Sequence, residues 1–88
     1  MQVEAWLQRA AGLAPTLTAL ATPDAHVSYA ELLRQARSGA GELTERGVLA
    51  GQHVAIALEP GIEFAVALHA CLLLGAVAVP VDLRLTPR

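Results

Sequence analysis

Eighty-eight residues make one domain at most, and a chain of this size buries only roughly 60–65% of its unfolded surface. The charge is nearly balanced, with six Arg, no Lys, eight acids and a net charge of −2, so there is no basic stripe for nucleic acid. The single cysteine, Cys71, excludes an internal disulfide and fits a reducing, cytoplasmic compartment.

The first element is an amphipathic helix. Val3, Trp6, Leu7, Ala10 and Ala11 follow the i, i+3, i+4, i+7, i+8 spacing of one helical face, with Gly12 and Pro15 expected to end it. Glu4 and the lack of a long apolar core argue against a secretory leader. Leu17, Ala19 and Ala21 alternate with polar or small residues, as in a short strand. The turn residues Thr22-Pro23-Asp24 follow, and His26-Val27-Ser28-Tyr29 reads as the return strand.

The next helix carries the clearest start signal in the chain. Ser28 and Glu31 have the spacing of a capping box, flanked by Val27 and Leu32 as a hydrophobic staple. Tyr29, Leu32, Leu33, Ala36, Ala40 and Leu43 share one face, and charged or polar residues line the other. Glu42 and Arg46 are spaced for an i, i+4 pair. Gly47 is a natural stop, with Val48 placed for the contact that often follows one.

Residues 53–81 read as a β-α-β unit. Val54, Ile56 and Leu58 alternate with Ala55 and Ala57, apolar on both faces as in a covered parallel strand. Glu59-Pro60-Gly61 turns the chain into a helix, Ile62 to Leu74, whose only polar residues are Glu63 and His69. Gly75 stops that helix, and Ala76 to Val81 is the second strand, with Pro80 marking its end or an edge. The apolar run Phe64–Val79 is shorter than the ~20 residues a membrane span requires.

A helix apolar all round needs cover on every side. Two strands and two other helices are too few to supply it. With 55% hydrophobic residues and a mean hydropathy of +0.48, the chain reads as a partial domain, 1–88, needing further cover.

Two stretches, "SYAEL" (28–32) and "LLLGAVAVPVD" (72–82), carry a family likeness. They resemble the first and second core motifs of AMP-forming adenylating enzymes, with Gly75, Pro80 and Asp82 matching the second. That family includes acyl-CoA synthetases and the adenylation domains of peptide synthetases. The start of the chain close to Met1 is similar to that of o-succinylbenzoate–CoA ligases of menaquinone synthesis. The resemblance runs along almost the whole chain. It implies an α/β fold: a β-α-β layered fragment of the N-terminal domain of the adenylate-forming ligase fold.

In that family a carboxylate attacks the α-phosphate of ATP, giving an acyl-adenylate and pyrophosphate, and a thiol such as CoA then takes the acyl group. The family's phosphate loop ending in Pro-Lys-Gly, its acidic ribose-binding residue and its C-terminal lysine have no counterpart here. ATP, Mg and CoA are therefore implied for a full-length member. No catalytic, cofactor-binding or metal-ligating residue is expected within this segment, and the segment is expected to be inactive alone.

The remaining chemistry-bearing residues favour structural roles. Gly61 opens a helix after a strand but lacks a surrounding G-x-G-x-x-G. Gly39 and Gly41 fall inside a helix. Cys71 sits among leucines as a small hydrophobe, and His69, two residues away, points elsewhere. His26, His53 and His69 are scattered without zinc spacing. Glu59 and Glu63 suit a turn and a helix N-terminus. Asp82 and Arg84 leave the C-terminal end of a strand, where α/β folds bind ligands, and are expected chiefly to anchor a loop. The expected partner is the remainder of the ligase domain or a second copy through the uncovered apolar surface. The alternatives are a free-standing interaction module derived from the ligase fold and a fragment of a peptide-synthetase adenylation domain.

Overall fold

A computed structural model describes residues 3–81, and side chains from residue 6 onward. Seven elements follow in order: α1 (Val3–Leu13), β1 (Thr18–Ala21), β2 (His26–Ser28), α2 (Tyr29–Glu45), β3 (His53–Ile56), α3 (Ile62–Leu74) and β4 (Val77–Pro80). They form two small sheets, an antiparallel β1–β2 hairpin and a parallel β3–β4 pair. Parallel strands need a long crossover, and α3 supplies it.

Helix α1 runs through Gly12 to Leu13, one residue past the glycine and short of Pro15. Gly12 is exposed and touches nothing, so it adds no local reason to stop. The β1–β2 turn is closed by Thr22, whose N–H donates to the Ala25 carbonyl at 2.7 Å and whose Oγ1 accepts from the Ala25 N–H at 3.2 Å. An irregularity between Thr18 and Leu20 shifts the register. A bulge of this kind breaks the alternation of faces. Ala19 and Leu20 are consequently both half-buried, whereas Leu17 and Ala21 are exposed.

The N-terminus of α2 is satisfied by three different groups. Ser28 Oγ accepts from the Glu31 N–H at 3.2 Å, the Leu17 carbonyl from Tyr29 at 3.0 Å, and the Pro15 carbonyl from Ala30 at 3.1 Å. These are donors the helix cannot satisfy internally. Only one arm of the capping box forms. The Glu31 carboxylate instead takes bonds from the Arg34 guanidinium and from Gln35 Nε2, the latter at 2.9 Å. Glu31–Arg34 is the one ion pair among the described residues, and the Glu42–Arg46 pairing does not form.

Both long helices end in the same motif. After α2, Val48 N–H donates to the Leu43 carbonyl at 3.0 Å and Gly47 N–H to Thr44 at 3.0 Å. After α3, Ala76 N–H donates to Cys71 at 2.9 Å and Gly75 N–H to Leu72 at 3.2 Å. This 6→1 plus 5→2 pattern is a Schellman cap, which requires a left-handed residue at its centre. Gly75 fills that position at φ +87°, and a side chain there would also press on Ala50.

Two apolar clusters hold the elements together. Leu7 and Ala11 of α1, Val27 of β2, and Leu32 and Leu33 of α2 form the first, against which Ile62, Val66 and Leu73 of α3 pack. Each fully buried Leu contributes about 1.5–3 kcal/mol relative to exposure. Ile56, Cys71 and Ala76 form the second, packed by Leu43, Val54 and Phe64 among others. The staple partners Val27 and Leu32 both lie in the first cluster, as their spacing implies.

Cover of α3 and the β3–β4 sheet is incomplete. Only Ala70 and Cys71 of α3 are buried, and its remaining apolar residues are half-buried. The parallel register pairs His53 with Val77 and Ala55 with Val79. All four are exposed, Val77 at 44% and Val79 at 39%. Val54 and Ile56 face the helices. The expectation that β3 is covered on both faces therefore holds on one face only, because the chain supplies a helix layer to that side alone.

Candidate ligand end of the β-α-β unit

Parallel pairing places the C-terminal ends of β3 and β4 side by side, the end at which α/β sheets bind ligands. Val81 N–H donates to the Ile56 carbonyl at 3.0 Å, extending the pairing one step past Pro80. Pro80, which has no N–H to give, therefore sits at the margin of the ladder. Asp82 and Arg84 follow, and both lie outside the described residues.

From β3 the chain passes through Ala57–Pro60 to Gly61, the N-cap residue of α3. Gly61 Cα carries no side chain to cap the helix. Its carbonyl accepts from the Ala65 N–H at 3.1 Å, the first intrahelical bond. A cleft of about 430 Å³ opens here between the β1–β2 turn and the N-terminus of α3, lined by Thr22, Asp24, Leu58, Glu59, Gly61 and Glu63 among others.

The electrostatics of this cleft oppose a phosphate. Helix N-termini favour anions through the dipole and free N–H groups. Three carboxylates, Asp24, Glu59 and Glu63, line the cleft, with no cation beside them among the described residues. The dipole is thus already complemented by this chain's own acids. Helix α2 offers no better site, since Pro15, Leu17 and Ser28 occupy its first donors. Gly61 serves a turn, and Glu59 and Glu63 occupy the turn and first helical positions their types suggest.

A second groove, about 490 Å³, lies between α2, β3 and α3. Its floor is apolar: Val54, Ile56, Val66, Ala70 and Cys71 line it. Gln35, Glu42, Arg46 and Glu63 add polar groups. Such a lining suits packing of apolar side chains better than recognition of a charged ligand.

His69 and Cys71 form no catalytic pair. Cys71 is 1% exposed, and burial pushes its thiol pKa up, away from the reactive thiolate. His69 Nδ1 is buried with no hydrogen-bond partner among the described residues, and burial pushes the imidazole pKa down. Two positions apart on a helix, the two side chains do not face each other. Among the described residues no three of His, Cys, Asp and Glu converge to hold a metal ion. No described helix is long and apolar enough to cross a membrane.

Gly39, which the sequence places only inside a helix, lies against α3. A β-carbon on it would sit 3.1 Å from Ala70 Cβ, so it allows α2 and α3 to approach closely. The available signal was its spacing from Leu32 and Ala36, which puts it on the apolar stripe rather than the solvent face.

Residues 7–88 match the family of AMP-binding enzymes. The chain belongs to that family. The 2-succinylbenzoate–CoA ligase of Bacillus cereus is 37% identical over 81 residues, covering 92% of this chain and 17% of the relative. The solved o-succinylbenzoate coenzyme A synthetase of Bacillus subtilis, in complex with AMP, superposes with a TM-score of 0.87 at 37% identity. It covers 92% of this chain, which in turn covers 21% of it. A Mycobacterium tuberculosis fatty acyl CoA synthetase superposes with a TM-score of 0.90 at 31% identity, over 97% of this chain and 17% of its own. The AMP-binding family chain described here thus spans about a fifth or less of these relatives' length. Its fold is that of the N-terminal domain of adenylate-forming ligases, a fragment of that larger domain.

Proposed function

We propose that this chain is the first structural segment of an ATP-dependent, AMP-forming acid–thiol ligase whose acid is 2-succinylbenzoate. The observation that carries the reading is the 37% identity over 81 residues, 92% of this chain, with a 2-succinylbenzoate–CoA ligase. In such a ligase the carboxylate attacks the α-phosphate of ATP and pyrophosphate leaves; the CoA thiol then attacks the acyl carbon of the adenylate, forming the thioester and releasing AMP.

The role proposed for this segment is scaffolding. Its helices and β3–β4 pair form one edge of the domain, and its half-covered α3 and exposed sheet face are the surface on which the rest of the ligase packs. The acidic cleft at α3 and the occupied N-terminus of α2 support a segment that binds neither the phosphates of ATP nor those of CoA by itself and is inactive alone. The lone free thiol supports a cytoplasmic setting.

Two measurements test this. The full product of the gene, purified and assayed for ATP–pyrophosphate exchange, is expected to respond to 2-succinylbenzoate. Exchange with fatty acids but not with 2-succinylbenzoate would overturn the substrate and leave the ligase class standing. Calorimetric titration of the 88-residue chain with ATP and Mg is expected to show no heat of binding, and micromolar binding would overturn the scaffolding role.

A further inference from the structure

We draw no further inference here: the strongest candidate, the apolar groove of about 490 Å³ between α2, β3 and α3, is an unpartnered face, and nothing in the structure shows what covers it.

Discussion

Gly39 of α2 meets Ala70 of α3 so closely that a β-carbon on the glycine would stand 3.1 Å from Ala70 Cβ. That separation is inside ordinary van der Waals contact, so the missing side chain sets the distance between the two helices that dominate the interior. Gly39→Leu is expected to force them apart and destabilise the chain by about 1–3 kcal/mol through overpacking. Gly41, two residues on, has nothing within 4 Å. Gly41→Ala removes the backbone entropy penalty without a clash and is expected to stabilise by roughly 0.5–1 kcal/mol. Urea melts of the two variants read the opposite signs, and a neutral Gly39→Leu would refute the close packing.

Ser28 caps α2 through the bond from Glu31 N–H to its Oγ. Replacing it with Ala leaves that donor without its partner at the margin of the first core cluster. The expected cost is about 1 kcal/mol, with Ser28→Asp retaining the stability of the parent. Amide hydrogen exchange at Glu31 checks the mechanism: protection there should fall in Ser28→Ala and persist in Ser28→Asp.

Hydrogen bonds from Arg34 and then Gln35 lower the Glu31 carboxyl pKa from 4.5 to about 2. A carboxyl with a depressed folded-state pKa binds fewer protons folded than unfolded, so its contribution is present above pH 4.5 and is lost as pH falls toward 2. The group is exposed, and salt weakens the effect. Carboxyl titration by NMR is expected to place Glu31 well below the ordinary 4.5, and Arg34→Gln is expected to move it back toward that value. An unchanged midpoint in Arg34→Gln would show that the ion pair does not persist in solution.

His69 works in the same direction for a different reason. Burial disfavours the imidazolium, so the folded-state pKa lies below the ordinary value of 6.5. In the window below pH 6.5 the unfolded chain takes up a proton that the folded chain resists. Stability is therefore greatest above 6.5 and declines as pH drops through that window. His69→Leu removes the titrating group, and the difference in urea midpoint between pH 7.5 and 5.5 is expected to shrink.

Gly75 stands at φ +87° with its would-be β-carbon 3.3 Å from Ala50 Cβ. Gly75→Ala combines left-handed strain with a tight contact, and the strain alone is expected to cost about 1–2 kcal/mol. Gly47 has the same backbone sign at φ +90° but open space around it. Gly47→Ala should therefore be the milder of the two, and thermal melts of the pair separate strain from crowding.

Much of the architecture is legible from local signals. Ser28 before an apolar stripe starts α2, Gly47 and Gly75 end helices in Schellman caps, and Val27 and Leu32 meet as a staple. Each depends on residues a few positions apart, whose backbone geometry is set by local sterics and hydrogen bonding. The two core motifs likewise identify the family from short stretches of sequence.

Other features depend on groups distant in the chain. The sequence offers no sign that the carbonyls of Pro15 and Leu17 complete the N-terminus of α2, because that bond network exists only once the loop after α1 folds back on it. The irregularity between Thr18 and Leu20 leaves the adjacent Ala19 and Leu20 both half-buried, and it arises in the pairing with β2, not in local sequence. Glu31 abandons the Ser28 N–H for Arg34 and Gln35, a competition among side chains that spacing alone does not rank. Residue type by itself determined where α2 starts, where α2 and α3 stop, and which family the chain joins. Which side of β3 is covered, how closely Gly39 approaches Ala70, and that Asp24 joins Glu59 and Glu63 in one cleft were decided by tertiary packing, since each depends on where separate elements come to rest against one another.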